Sequence, residues 1–159
     1  MWLVPLLVVM GVLILLFIRF VVYTILLRQR ISNFRESVEE QFYDLPKEAL
    51  RLIFKDNAHR IKRMAITVIF SQWLTLEGEE HYEQTLKIVT YRVAKGILQG
   101  LLNSKYEEAH DSDRSRILEH SSRLAAIWCN WLRCDLLPEA VNCGLFQAKQ
   151  EIGEMVRSK

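Results

Sequence analysis

Residues 2–27 read WLVPLLVVMGVLILLFIRFVVYTILL and contain one charged residue, Arg19. Few folds accept such a run. Crossing about 30 Å of hydrocarbon takes about 20 apolar residues at a rise of about 1.5 Å each, and this run is long enough. Pro5 falls near its start, where a helix tolerates proline. A cleaved secretory leader calls for a basic n-region, a shorter apolar stretch and a small-residue cleavage site. The run shows none of these. It therefore predicts a retained transmembrane signal-anchor helix over residues 1–27.

The flanks predict an orientation. No Lys or Arg lies before the run, whereas Arg28, Arg30 and Arg35 follow it. Basic residues next to a span stay on the cytoplasmic side. The expected topology is single-pass, with the N-terminus outside and residues 28–159 in the cytoplasm, and the expected membrane is a bacterial inner membrane. Trp2 and Tyr23 suit the outer and inner interfaces, where amphipathic rings settle. Arg19 has two readings. It snorkels to the cytoplasmic headgroups from the end of a shorter span, or it lies in the membrane paired with an acidic group on a partner helix.

The chain of 159 residues is half hydrophobic, and its 21 Lys+Arg and 19 Asp+Glu leave a net charge of +2. That balance speaks against a dedicated nucleic-acid binder, which carries a strongly basic domain. Six Gly and three Pro speak against disorder and against a turn-rich all-β fold. Beyond the apolar run, enough chain remains for one modest core.

That remainder reads as helices throughout. Ile31, Phe34, Val38 and Phe42 recur at helical spacing, so the membrane helix is expected to continue into the cytoplasm as a juxtamembrane extension over residues 28–45. Asp44-Leu45-Pro46 breaks it, since proline disfavours α at the preceding residue and Asp44 is a good helix cap. A second helix is expected from Lys47 to about residue 76, its apolar second half (64–76) too short to span and suited to a core. A third runs over about 79–103, with Tyr82, Leu86, Val89, Val93, Ile97 and Leu101 on one face. After a polar stretch at 105–113 a fourth carries two heptad series, Ile117/Leu124/Trp131 and Leu118/Ala125/Leu132, which with Trp128 make a wide apolar face. A last helix over about 138–157 turns Val141, Leu145, Ala148, Ile152 and Met155 inward. The expected fold is all-α: one N-terminal transmembrane helix followed by a cytoplasmic antiparallel bundle of about four or five helices, with residues 46–159 as the bundle domain.

Chemistry-bearing residues are sparse. Lys47, Arg51, Lys55, His59 and Arg63 stand four apart, with Arg60 and Lys62 beside them. Residues i and i+4 are neighbours on a helix, so these form a winding cationic strip. The strip suits anionic headgroups, or an acidic partner protein or nucleic-acid phosphates, or it is simply a solvated face with Glu48 and Asp56 partly neutralising it. Cys129, Cys134 and Cys143 match no zinc or thioredoxin spacing and read as packing residues. Glu107-x-x-His110 is a single such motif, where a di-iron bundle uses two. Gly96-x-x-x-Gly100 reads as a site of close helix packing within the bundle. No Walker, Gly-x-Ser-x-Gly or His-Glu-x-x-His pattern occurs.

Three functional classes follow. The first is a non-enzymatic interaction or scaffold subunit of a membrane complex, with membrane lipids and a protein partner or a second copy as its contacts, and no cofactor or nucleic acid. The second is a membrane-acting protein of the toxin, exclusion or lipid-sensing type, using the cationic strip on anionic lipids. The third is a metal or cofactor binder inside the bundle, drawing on His110, His120 and the cysteines.

Overall fold

The computed structural model describes residues 3–73, 79–103, 113–132 and 137–158. They form α1 (Leu3–Gln41), α2 (Lys47–Trp73), α3 (Glu79–Leu102), α4 (Asp113–Leu132) and α5 (Pro138–Arg157), with no strand among the described residues. The fold is the expected all-α bundle. The end of the second helix beyond 73, the stretch 104–112, Glu107 and His110, and the side chains of Leu132, Cys129 and Cys134 lie outside the described residues.

Helix α1 has two environments along one continuous backbone. Its 39 residues extend about 58 Å. From Pro5 to Val22 every side chain is exposed; burial begins at Tyr23. Phe34, Val38 and Phe42 are then fully buried, in the same core cluster as residues of α2, α3, α4 and α5. The segment after residue 27 therefore packs as a bundle helix. At its centre Phe34 meets Phe54 of α2 at 5.7 Å between centroids and Trp128 and Trp131 of α4 at 5.3 and 4.9 Å. The two tryptophan contacts are edge-on, the arrangement favoured by the ring quadrupoles. Trp131 Nε1 donates to the Arg30 carbonyl at 2.8 Å, and Arg30 Nη1 donates to the Trp131 carbonyl at 3.3 Å. These contacts tie α1 to α4 just above the exposed segment.

Direction alternates from helix to helix. Tyr23 packs on Phe70 and Phe34 on Phe54, so α2 runs back along α1. Gly96 faces Asn57 and Gly100 faces Ile53, so α3 returns along α2. Phe42 packs on His120 and Phe34 on Trp128, so α4 again opposes α1. Helix α5 lies parallel to α3, with Gly144 on Lys87 and Tyr91, and Glu151 on Lys95. Thus α1 to α4 form a ring with α3 opposite α1, and α5 covers the groove between α3 and α4.

Two expectations need correction. Asp44 does not cap α2. Pro46 occupies that place, its carbonyl accepting from Ala49 and Leu50 at 3.0 and 3.2 Å. Asp44 instead reaches across to α4, where Arg123 Nη1 donates to its Oδ1 at 2.5 Å. Arg123 also pairs with Glu119 and lies 5.4 Å above the Phe42 ring, clasping the α1–α2 corner onto α4. Leu118 is not inward: it is 50% exposed, while Ile117, Leu124, Trp128 and Trp131 are buried. The face of α4 that the ring of helices covers is narrower than two full heptad series.

The α3–α5 contact depends on a missing side chain. A Cβ at Gly144 would lie 2.5 Å from the Lys87 carbonyl oxygen and 3.0 Å from the Tyr91 nitrogen, both backbone atoms. Gly153, nine residues later on the same helix, has nothing within 4 Å. Gly144→Ala is expected to destabilise the bundle by about 1–3 kcal/mol through overpacking. Gly153→Ala is expected to be neutral or to stabilise by up to about 1 kcal/mol through helix propensity. Thermal melts of the full chain in detergent check both.

The Asp44 clasp gives a pH dependence. The hydrogen bond from Arg123 holds the Asp44 carboxyl below its ordinary value of 3.8. A carboxylate depressed in the fold contributes stability above its unfolded pKa, and that stability is lost as pH falls through the folded value. Asp44→Asn should therefore lower the melting temperature at pH 7 and flatten the loss of stability below about pH 4.

Candidate anion-binding cleft

The winding of α2 decides which basic residues act together. Each i+4 step advances about 40° around a helix, so the four steps from Lys47 to Arg63 turn the strip through about 160° while it climbs about 24 Å. All seven candidates, Lys47, Arg51, Lys55, His59, Arg60, Lys62 and Arg63, are exposed. They do not form one surface. The structure separates His59, Arg60 and Arg63, which line a cleft shared with α3, from Lys47, Arg51, Lys55 and Lys62, which do not line it. Arg19 lies apart from both groups, exposed on the apolar half of α1.

The cleft has a volume of about 410 Å³. From α2 it receives His59, Arg60 and Arg63, and from α3 Arg92 and Lys95, with Gln99 at one end. No carboxylate lines it among the described residues. The floor is the backbone of α3 at Gly96. A Cβ there would stand 2.4 Å from Arg60 Nη1 and 2.0 Å from Asn57 Oδ1. Glycine thus lets the guanidinium of Arg60 lie against the neighbouring helix. Asn57, only 3% exposed, holds it there. Arg60 Nη1 donates to Asn57 Oδ1 at 2.9 Å, and Asn57 Nδ2 donates to the Ile53 carbonyl at 2.9 Å. The Gly96-x-x-x-Gly100 pair does pack closely within the bundle, Gly100 on Ile53 and Gly96 on this pair of polar side chains.

The far wall is anchored by α5. Lys95 and the Tyr91 hydroxyl both donate to Glu151, and Lys95 Nζ donates to the Tyr91 hydroxyl at 3.3 Å. The hydrogen bond from Lys95, then that from Tyr91, hold the Glu151 carboxyl below its usual range. The bond to Glu151 in turn holds the Lys95 ammonium above its own. Lys95 thus brings a charge already balanced. Among the described residues no carboxylate pairs with Arg63 or Arg92, and Arg60 is held by an uncharged amide.

Sequence reasoning found the α2 half of this cleft and missed the α3 half. Arg92, Lys95 and Gln99 stand three and four apart, the spacing of one helix face. That signal was present, but only the register of α2 against α3 places it opposite His59, Arg60 and Arg63. The cysteine reading fails at Cys143, which is exposed and free. His120 is buried against the Phe42 ring. No group of three or more His, Cys, Asp or Glu with metal-holding geometry occurs among the described residues.

The chain matches no family model, no curated protein and no solved structure.

Proposed function

We propose that this chain is a single-pass membrane-anchored bundle that serves as a non-enzymatic interaction subunit on the cytoplasmic face of a membrane. One observation carries the reading. The apolar half of α1 contains an 18-residue window in which no residue is buried, yet the same helix continues without a break into the bundle core. An uncovered apolar cylinder of this length is unstable in water, where exposed apolar patches seldom exceed a few hundred Å². It matches the hydrocarbon thickness of a bilayer.

The position of Arg19 supports the snorkelling reading. A span of about 20 residues beginning at Leu3 ends at Val22, one residue before burial in the bundle begins. Arg19 then lies in the last turn of the span, where its stem follows the hydrocarbon and its guanidinium reaches the headgroups. Arg28, Arg30 and Arg35 follow directly, which favours the cytoplasmic side for the bundle. In this arrangement the Tyr23–Phe70 contact sits at the interface and the bundle stands on the membrane. An interaction role is supported by apolar side chains left open on the bundle, notably Leu118 and Phe146, which line a groove between α4 and α5.

The direction of α2 weighs against the cationic strip acting as a lipid-binding face. Because α2 runs antiparallel to α1, the strip extends along the bundle axis and does not lie across a membrane that α1 crosses.

Alkaline carbonate extraction and native mass measurement test the reading together. The full chain should stay in the membrane pellet. In mild detergent it should run as an assembly above its 18.7 kDa, reduced by the pair Leu118→Glu and Phe146→Glu. Release by carbonate contradicts the anchor, and a monomer in detergent contradicts the subunit role.

A further inference from the structure

We propose that the cleft between α2 and α3 is a binding site for a phosphate group, carried by either a small soluble phosphoester or a lipid headgroup. The whole chain has a net charge of only +2, yet Arg60, Arg63 and Arg92 converge on one cleft with no carboxylate on its lining among the described residues. Like charges brought together repel, and the repulsion is relieved by a bound anion. Three permanent guanidinium charges, with His59 beside them, suit a group bearing two or more negative charges better than a single carboxylate. Guanidinium forks also match the geometry of phosphate oxygens.

Two of the cationic side chains are also preorganised. Arg60 is not a free surface arginine. Its Nη1 is held by the buried Asn57, itself fixed to the Ile53 carbonyl, and it rests where only a glycine at 96 leaves room. An exposed solvated helix face needs neither a buried amide nor a glycine to hold one of its arginines. On the opposite wall Lys95 is fixed by Glu151 and Tyr91, so an arriving anion meets Arg60 and Lys95 already in place. The volume of about 410 Å³ falls within the range of small-ligand sites.

Arg63 stands seven residues before Phe70 on α2, about 10 Å along the helix axis. Phe70 packs on Tyr23, where the exposed apolar half of α1 ends. A headgroup that projects from the membrane reaches this level, and so does a solute from the cytoplasm. The lipid source rests on the anchoring of α1 proposed above; the soluble source does not, so failure of the anchor leaves that arm standing.

The test uses the full chain in two arms. In the first, the protein in nanodiscs of phosphatidylcholine is titrated calorimetrically with inorganic pyrophosphate. In the second, the detergent-solubilised protein is offered phosphatidylinositol 4-phosphate, whose phosphomonoester projects on an inositol ring, against phosphatidylcholine, and retained lipid is read by native mass spectrometry. Saturable binding is expected in at least one arm, and the arm that responds identifies the source. In that arm Arg63→Gln with Arg92→Gln should weaken binding by about tenfold or more, the loss of charge-assisted contacts. Lys47→Gln with Arg51→Gln, which removes the same amount of charge from α2 outside the cleft, should leave it within about twofold. Gly96→Ala should weaken binding with no change of charge, by displacing Arg60. If that variant does not fold by circular dichroism, the two double variants decide alone. The proposal is overturned if neither probe binds, if both double variants weaken binding alike, or if folded Gly96→Ala binds as tightly as the parent.

Discussion

Everything in this structure depends on α1 carrying one uninterrupted backbone from a stretch of exposed apolar side chains into the bundle core. From Pro5 to Val22 its side chains are exposed, and from Phe34 onward the same helix supplies the centre of the core. A helix satisfies its backbone groups internally, which lets one element pass from an uncovered stretch into a protein interior without a joint. The aromatic group around Phe34 and the reciprocal Arg30–Trp131 hydrogen bonds secure the change of environment. Because Phe54, Trp128 and Trp131 pack directly on this helix, the bundle cannot swing freely relative to the apolar segment.

That coupling sets what the surface of the bundle can do. Helices α2 and α4 run back toward the apolar half of α1, and α3 and α5 run away from it. Faces along the helices therefore stand upright on any membrane that α1 crosses. The α2–α3 cleft opens on such a face, a short way above the level of Tyr23. A groove there is open to solutes and to projecting headgroups, whereas the flat of a bilayer meets only the end of the bundle.

Local features of the chain made the element plan legible. Pro46 and Pro138 stand immediately before or at the helix starts, and the apolar spacing of Ile31 to Phe42 and of Leu86 to Leu101 marks faces that are in fact covered. What escaped was non-local. Asp44 has the chemistry of a cap, but Pro46 takes the cap position and Arg123, 79 residues away, offers a charged partner. Leu118 has heptad spacing, but burial depends on how far the neighbouring helices wrap around α4, which spacing does not encode. The cationic strip was visible on α2 as a pattern, but its division at His59 follows from α3 lying against one side of it. Arg92 and Lys95 join the cleft only through that register, which the Gly96 contact sets by letting the two backbones approach. The spacing of the glycine pair marks close helix packing but does not reveal the arginine that Gly96 accommodates.

The claim that α1 passes from lipid into the bundle core is tested most directly by a nitroxide scan along it, in the full chain reconstituted in phosphatidylglycerol-containing vesicles. Collision with oxygen and with a water-soluble nickel chelate is measured at successive positions. The account predicts oxygen access and nickel exclusion at positions 6 to 18, with no helical periodicity because no face is covered. Beyond Tyr23 it predicts a period of about 3.6 residues, with positions 34 and 38 shielded from both reagents. Nickel access in the middle of residues 6–18, or a periodic pattern there, would contradict it.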